Sequence, residues 1–118
     1  MGCIIQEFQQ EQKRRMRAVQ DSMDALNGKW KIAIITSICC YKIRRFSDIL
    51  NDIDGISNRM LSKELKELEI NLLIKRTVLA TQPISVQYEL TEHGDTLQSI
   101  VSSLTDWGEK HREAIIKK

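Results

Sequence analysis

The chain has 118 residues, 42% hydrophobic and 29% charged, with a net charge of +2, as in a single soluble globular domain that can bury a core without staples. Its longest apolar run is far below the roughly 18 residues that a membrane span needs. The near-neutral balance gives no global field for nucleic acid, so any anion site must come from local segregation of charge.

The start shows no secretory core, because Ile4 and Ile5 are followed at once by Gln6 and Glu7. Met1-Gly2-Cys3 hints at acylation, but position 6 is Gln rather than Ser or Thr, so a cytoplasmic location is expected. Residues 5–26 carry Phe8, Met16, Val19, Met23 and Leu26 at helical spacing within a polar background. Such a thin stripe on a terminal helix suits packing on a partner subunit. Asn27-Gly28 ends it. A second helix runs from Lys29 to about Tyr41 with Trp30, Ile34, Ile35 and Ile38. It is apolar nearly all round and should be the central buried helix, with Trp30 as a core anchor. Cys39 and Cys40 end that run and read as buried small hydrophobes. The cysteine count of three, without metal-ligand spacing, fits a reducing compartment.

Lys42 to Arg45 reads as a short basic connection, with Arg44 and Arg45 as candidate phosphate clamps. Phe46, Ile49 and Leu50 mark a short third helix, whose first turn holds Asp48, where a carboxylate suits the helix dipole. Asp52 to Gly55 is a turn. Ser57 then caps a fourth helix, and Ile56 can staple onto Leu61. That helix should end near Asn71. At about 100° per residue, Leu61, Leu65, Leu68 and Leu72 fall within an arc of about 60°. Asn58, Arg59, Ser62, Lys63 and Lys66 fall on a separate arc of about 140° that reads as three cations and no carboxylate. A face that had only to be soluble would mix signs, so this helix suggests docking on a polyanion.

Ile74 to Leu79 and the alternating Val86, Tyr88 and Leu90 read as strands joined by a loop at Ala80-Thr81-Gln82-Pro83. Lys75 and Arg76 should divide, one inward and one toward a nucleic-acid backbone. Thr91 can cap a last helix carrying Leu97, Ile100, Val101, Leu104, Trp107, His111 and Ile115 on one side. Helices two to four plus the hairpin make a helix-turn-helix with a wing, in which the helix before the hairpin enters the major groove. On chemistry, Arg59 suits guanine and Asn58 adenine; Ser57 and Ser62 suit phosphate or base, and Lys63, Lys66 and Arg76 suit phosphate. His93 and His111 are isolated, and no triad, nucleophile elbow or Gly-rich phosphate loop occurs, so no enzyme, metal or cofactor is expected.

These residues also carry a family resemblance. Asn27-Gly28-Lys29-Trp30-Lys31 before an Ile-rich helix, Arg45-Phe46-Ser47-Asp48-Ile49-Leu50, and Gly55-Ile56-Ser57 with Met60-Leu61 are similar to the HxlR-type transcriptional regulators, a MarR-like group. So are Leu65-Lys66-Glu67-Leu68-Glu69, Arg76-Thr77-Val78, Val86-Gln87-Tyr88-Glu89-Leu90-Thr91 and Trp107-Gly108. Each motif is weak alone; their order across residues 17–111 is specific. The resemblance implies a bacterial, dimeric, winged-helix DNA-binding protein. It divides the chain into an N-terminal dimerisation helix (5–26), a winged-helix core (28–91) and a C-terminal dimerisation helix (92–116). The expected partners are double-stranded DNA, read at a pseudo-palindromic operator, and a second copy of the chain. Between the dimer helices and the core a small-molecule effector is left open, as no polar cluster marks a pocket.

The chain departs from that pattern at four places. Arg17-Ala18 stands where many relatives carry a cysteine that can sense oxidants. Asn27 replaces the first glycine of the turn, and Asn tolerates positive φ. Leu72 replaces the glycine after the recognition helix, so Asn71 is expected to take the left-handed position. Ser85 stands at a wing arginine, leaving the wing tip uncharged. The rival reading is a winged-helix module that contacts protein and has no affinity for DNA.

Overall fold

The computed structural model describes residues 2–117, so Met1 of the acylation-like start lies outside the described residues. The order is α1 (Gly2–Ala25), α2 (Lys31–Tyr41), β1 (Ile43–Arg45), α3 (Phe46–Asp52), α4 (Asn58–Ile70), β2 (Ile74–Leu79), β3 (Ser85–Leu90), α5 (Glu92–Asp95) and α6 (Gln98–Ile116). It is a mainly α winged helix-turn-helix with a small antiparallel sheet. The core forms where the apolar helix α2 meets the seam of α4. Ile34, Ile35, Ile38, Ile49, Leu61 and Leu68 have no exposed surface, and Leu26, Ile56, Leu65, Leu73, Ile74, Tyr88 and Leu97 join them in the cluster. Trp30 packs against this core at the start of α2, with the Lys29 ammonium 4.7 Å from its ring centre.

The sheet has three strands in the order β1-β3-β2 rather than the expected two. The short basic connection is a strand: Ile43 faces Glu89, Arg44 faces Tyr88 and Arg45 faces Gln87. Three residues are too few to show a period, and the free edge of β3 supplies the partner. The C-terminal segment is two helices rather than one. Thr91 caps α5, its hydroxyl accepting from the Gly94 N–H at 2.9 Å, as its sequence position suggests. Gly94 lies so close to the backbone just before β2 that a Cβ there would sit 1.9 Å from the Leu73 carbonyl oxygen. Tight three-residue turns at Thr96 and Leu97 then redirect the chain into α6.

The end of α4 differs from expectation in an informative way. Leu72 takes the left-handed conformation (φ 63), while Asn71 stays at φ −81. The Leu72 N–H donates to the Glu69 carbonyl and the Leu73 N–H to the Leu68 carbonyl, both at 3.0 Å, which together form a Schellman turn. That register buries Leu73 and Ile74. Leu72 is 69% exposed, so its side chain returns little for the strained backbone. Leu72→Gly should therefore stabilise the fold by about 1 kcal/mol, a melting shift of about 3–5 °C in calorimetry. In the first turn, positive φ falls on Gly28 (φ 85), which frees the Asn27 side chain for another role.

Helix α1 begins at Gly2, earlier than expected, and buries none of its residues. Ile5, Phe8, Met16, Val19 and Met23 are all exposed along it. Helix α6 likewise exposes Ile100, Leu104, Trp107 and Ile115, with Trp107 stacked on His111 at 4.7 Å.

Candidate nucleic-acid interface

Ser57 sets the start of α4: its hydroxyl accepts from the Met60 N–H at 3.1 Å, so its acceptor is committed to the cap. Burial of Leu61, Leu65 and Leu68 fixes the rotation of the helix. Asn58, Arg59, Ser62, Lys63 and Lys66 are then all exposed, with Asn58 and Arg59 in the first turn. The face is not free of carboxylate along its whole length. Glu69 at its far end lines a groove with Ser62, Lys66, Arg76, Phe46, Val86 and Tyr88, of about 480 Å³. By helical angle Glu69 belongs to the same arc, which the five named residues alone do not reveal.

Lys75 and Arg76 do not divide: both are exposed on β2. Arg76 joins Lys66 across the groove between helix and sheet. Arg45 is exposed on β1, and its backbone N–H donates to the Asp48 carboxylate at 3.1 Å. Arg44 is engaged internally. Its guanidinium pairs with Asp52, by Nε at 3.1 Å and by Nη2, and stacks 3.8 Å from the centre of the Tyr41 ring. This pairing corrects the expectation that both arginines are free clamps; Arg45 is the available one. Asp52 also accepts from the Ser37 hydroxyl at 2.7 Å. The Arg44 and Ser37 bonds together hold the Asp52 carboxyl below its ordinary value.

That depression sets a pH dependence. The stability Asp52 contributes is fully present above the ordinary carboxylate value of about 4 and is lost as the pH falls through the lower folded value. Asp52→Asn should lower the melting temperature at neutral pH, and its deficit against the wild type should close below about pH 4, as followed by circular dichroism melts.

A buried charge cluster lies behind the cationic face. Lys31, only 2% exposed at the start of α2, sends its ammonium to Glu64 Oε2 at 2.6 Å, Glu67 Oε2 at 2.5 Å and Asn27 Oδ1 at 3.0 Å. Burial pulls the Lys31 pKa down, but the two carboxylates together outweigh it and the value is raised. The same bond from Lys31 holds Glu67 below its ordinary range. So two of the three α4 carboxylates are neutralised from within. Sequence reasoning missed this cluster. Its only signal was a pair of glutamates three apart on the flank of the leucine seam, with a lysine opening an otherwise apolar helix.

The wing loop, residues 80–84, carries no charge, and Ile84 at its tip is 72% exposed. Cys39 is half-buried and Cys40 exposed, which corrects the reading of both as buried. Burial pushes the Cys39 thiol up, with the neighbouring Cys40 and Asp95 adding to the effect. Among the described residues no helix is long and apolar enough to cross a membrane, and no three His, Cys, Asp or Glu side chains gather to hold a metal.

A helix-turn-helix with a two-strand wing, whose last helix presents cations while two of its three acids are neutralised behind it, defines a winged-helix transcription regulator, a DNA-binding protein rather than an enzyme. The family model for HxlR-like helix-turn-helix proteins matches residues 25–115, and the chain belongs to that family. The HTH-type transcriptional regulator YdeP of Bacillus subtilis (strain 168) is 36% identical over 99 residues, spanning 84% of this chain and 77% of YdeP. The solved structure of the HTH-type regulator ytcD matches with a TM-score of 0.76 at 33% identity, over 80% of this chain and 96% of that one. The redox regulator HypR in its reduced form matches with a TM-score of 0.78 at 33% identity, over 86% of this chain and 99% of that one.

Proposed function

We propose that the protein acts as a homodimer on a pseudo-palindromic operator, with one α4 in each of two successive major grooves. The observation that carries this reading is the exposed cationic face of α4 together with two long helices that leave Phe8, Met16, Val19, Ile100, Leu104 and Trp107 exposed. Arg59 and Asn58 in the first turn of α4 read base edges. Ser62, Lys63, Lys66, Arg45 and Arg76 hold phosphates, and Ser57 fixes the helix start. Helices α1 and α6 pair with their copies in the partner. Recognition rests on α4 more than on the uncharged wing.

Occupancy of DNA, changed by transcriptional need, is the output. A thiol signal has poor chemistry at Cys39, because a raised pKa leaves little thiolate to react. With four phosphate-facing cations per protomer, the logarithm of the binding constant should fall with the logarithm of salt at a slope of about −7. Fluorescence anisotropy on DNA from upstream of the protein's own gene tests the reading. Salt-sensitive binding supports it, whereas no binding even at low ionic strength favours the protein-contacting module.

A further inference from the structure

The buried ammonium of Lys31 touches two parts of the molecule that have different tasks. Asn27 follows the end of α1, beside the left-handed Gly28, and so belongs to the joint between the long N-terminal helix and the core. Glu64 and Glu67 lie on α4. The three hydrogens of the ammonium are all used, one on Asn27 at the joint and two on carboxylates of α4. A buried ion pair of this kind is weak evidence for stability, since an apolar pair of similar volume often serves as well. What three directed bonds supply, and apolar packing does not, is one fixed relation between the elements they join.

We propose that Lys31 is a positioning residue for DNA reading: by tying α4 to the α1–α2 joint, it sets the distance and angle between the two recognition helices of the dimer. This rests on the reading of α4 as the groove helix and α1 as part of the dimer arm. Among the described residues only Lys31 forms ion pairs with Glu64 and Glu67, while Lys63, Lys66 and Arg59 are exposed. Glu67, with its side chain 40% exposed, is the outer end of the tether and lies next to Lys63 on the helix surface. Lys31 therefore also offsets the charge of a carboxylate that flanks the cationic face.

The consequence is a preference for one half-site spacing. A rigid tether makes the dimer intolerant of duplexes whose half-sites are moved by two base pairs, because that rotates one site by about 70° around the DNA. The test compares the wild type, Lys31→Met/Glu64→Leu and Asn27→Ala on duplexes with half-sites one turn apart and two base pairs longer. The first variant replaces the buried Lys31–Glu64 pair by apolar groups of similar volume and leaves Glu67, whose side chain is 40% exposed, to be solvated by water. The second removes only the exposed end of the tether at the joint and leaves the core intact. Both should melt cooperatively and remain dimeric. We expect the first to bind the best-spaced duplex about tenfold more weakly and to discriminate between spacings by less than about threefold, with Asn27→Ala intermediate. Wild-type affinity and wild-type spacing preference in both variants would overturn the role of Lys31. A wild type that binds but ignores spacing would instead refute the dimeric reading, and a wild type that binds neither duplex would refute DNA reading by α4.

Discussion

Replacing Leu104 and Trp107 by aspartate should yield a folded monomer that has lost about 10²- to 10⁴-fold in affinity for a two-half-site duplex. Both side chains lie on the exposed stripe of α6, at 46% and 63% exposure, so neither change opens a cavity within the chain. In the proposed dimer the same positions are covered, and two carboxylates per protomer would face their copies without partners. The second recognition helix then no longer binds at the high effective concentration that the linkage provides. Size-exclusion chromatography with light scattering gives the mass, and circular dichroism shows whether the helices persist. Affinity for a single half-site should be almost unchanged, which separates lost linkage from lost recognition.

The second large effect concerns how α4 divides its work. Arg59→Ala should weaken binding to the preferred duplex by at least about 30-fold, summed over two half-sites, and should relax discrimination at one base pair in each. A bidentate contact to a guanine edge is worth about 1–3 kcal/mol, and nothing else in the first turn of α4 can replace it. Lys63→Ala should act differently. It should weaken binding to all sequences alike and make the salt slope shallower by about 2, one lost phosphate contact in each protomer. Both side chains are exposed, so melting temperatures should stay within about 1–2 °C of the wild type. Competition anisotropy against base-substituted duplexes at several salt concentrations measures both.

The elements that could be read from the chain are those set by local patterns. The Ile-rich α2, the leucine seam of α4, the Ser57 cap and the alternation of β3 each express their period or cap within a few residues. The departures depend on distant partners. Strand β1 exists because β3 has a free edge, and Leu72 is left-handed because Leu73 and Ile74 must reach the core. The break at Thr96 follows from the close approach of Gly94 to Leu73. At the site, the cations of α4 were legible from helical angle. What neutralises their neighbours was not, because Lys31 and Glu64 are 33 residues apart and meet only through packing. Arg44 is the converse case: a basic residue in a basic stretch that Asp52, eight residues away, draws into the fold.

Methylation interference on a duplex selected from a random pool tests the central claim most directly, because the reagent marks guanine N7 in the major groove and adenine N3 in the minor groove. If α4 reads DNA as a pair, methylated guanines should block binding in two clusters about 10–10.5 base pairs apart. Interference confined to minor-groove adenines, or a single cluster with no symmetric mate, would contradict the account.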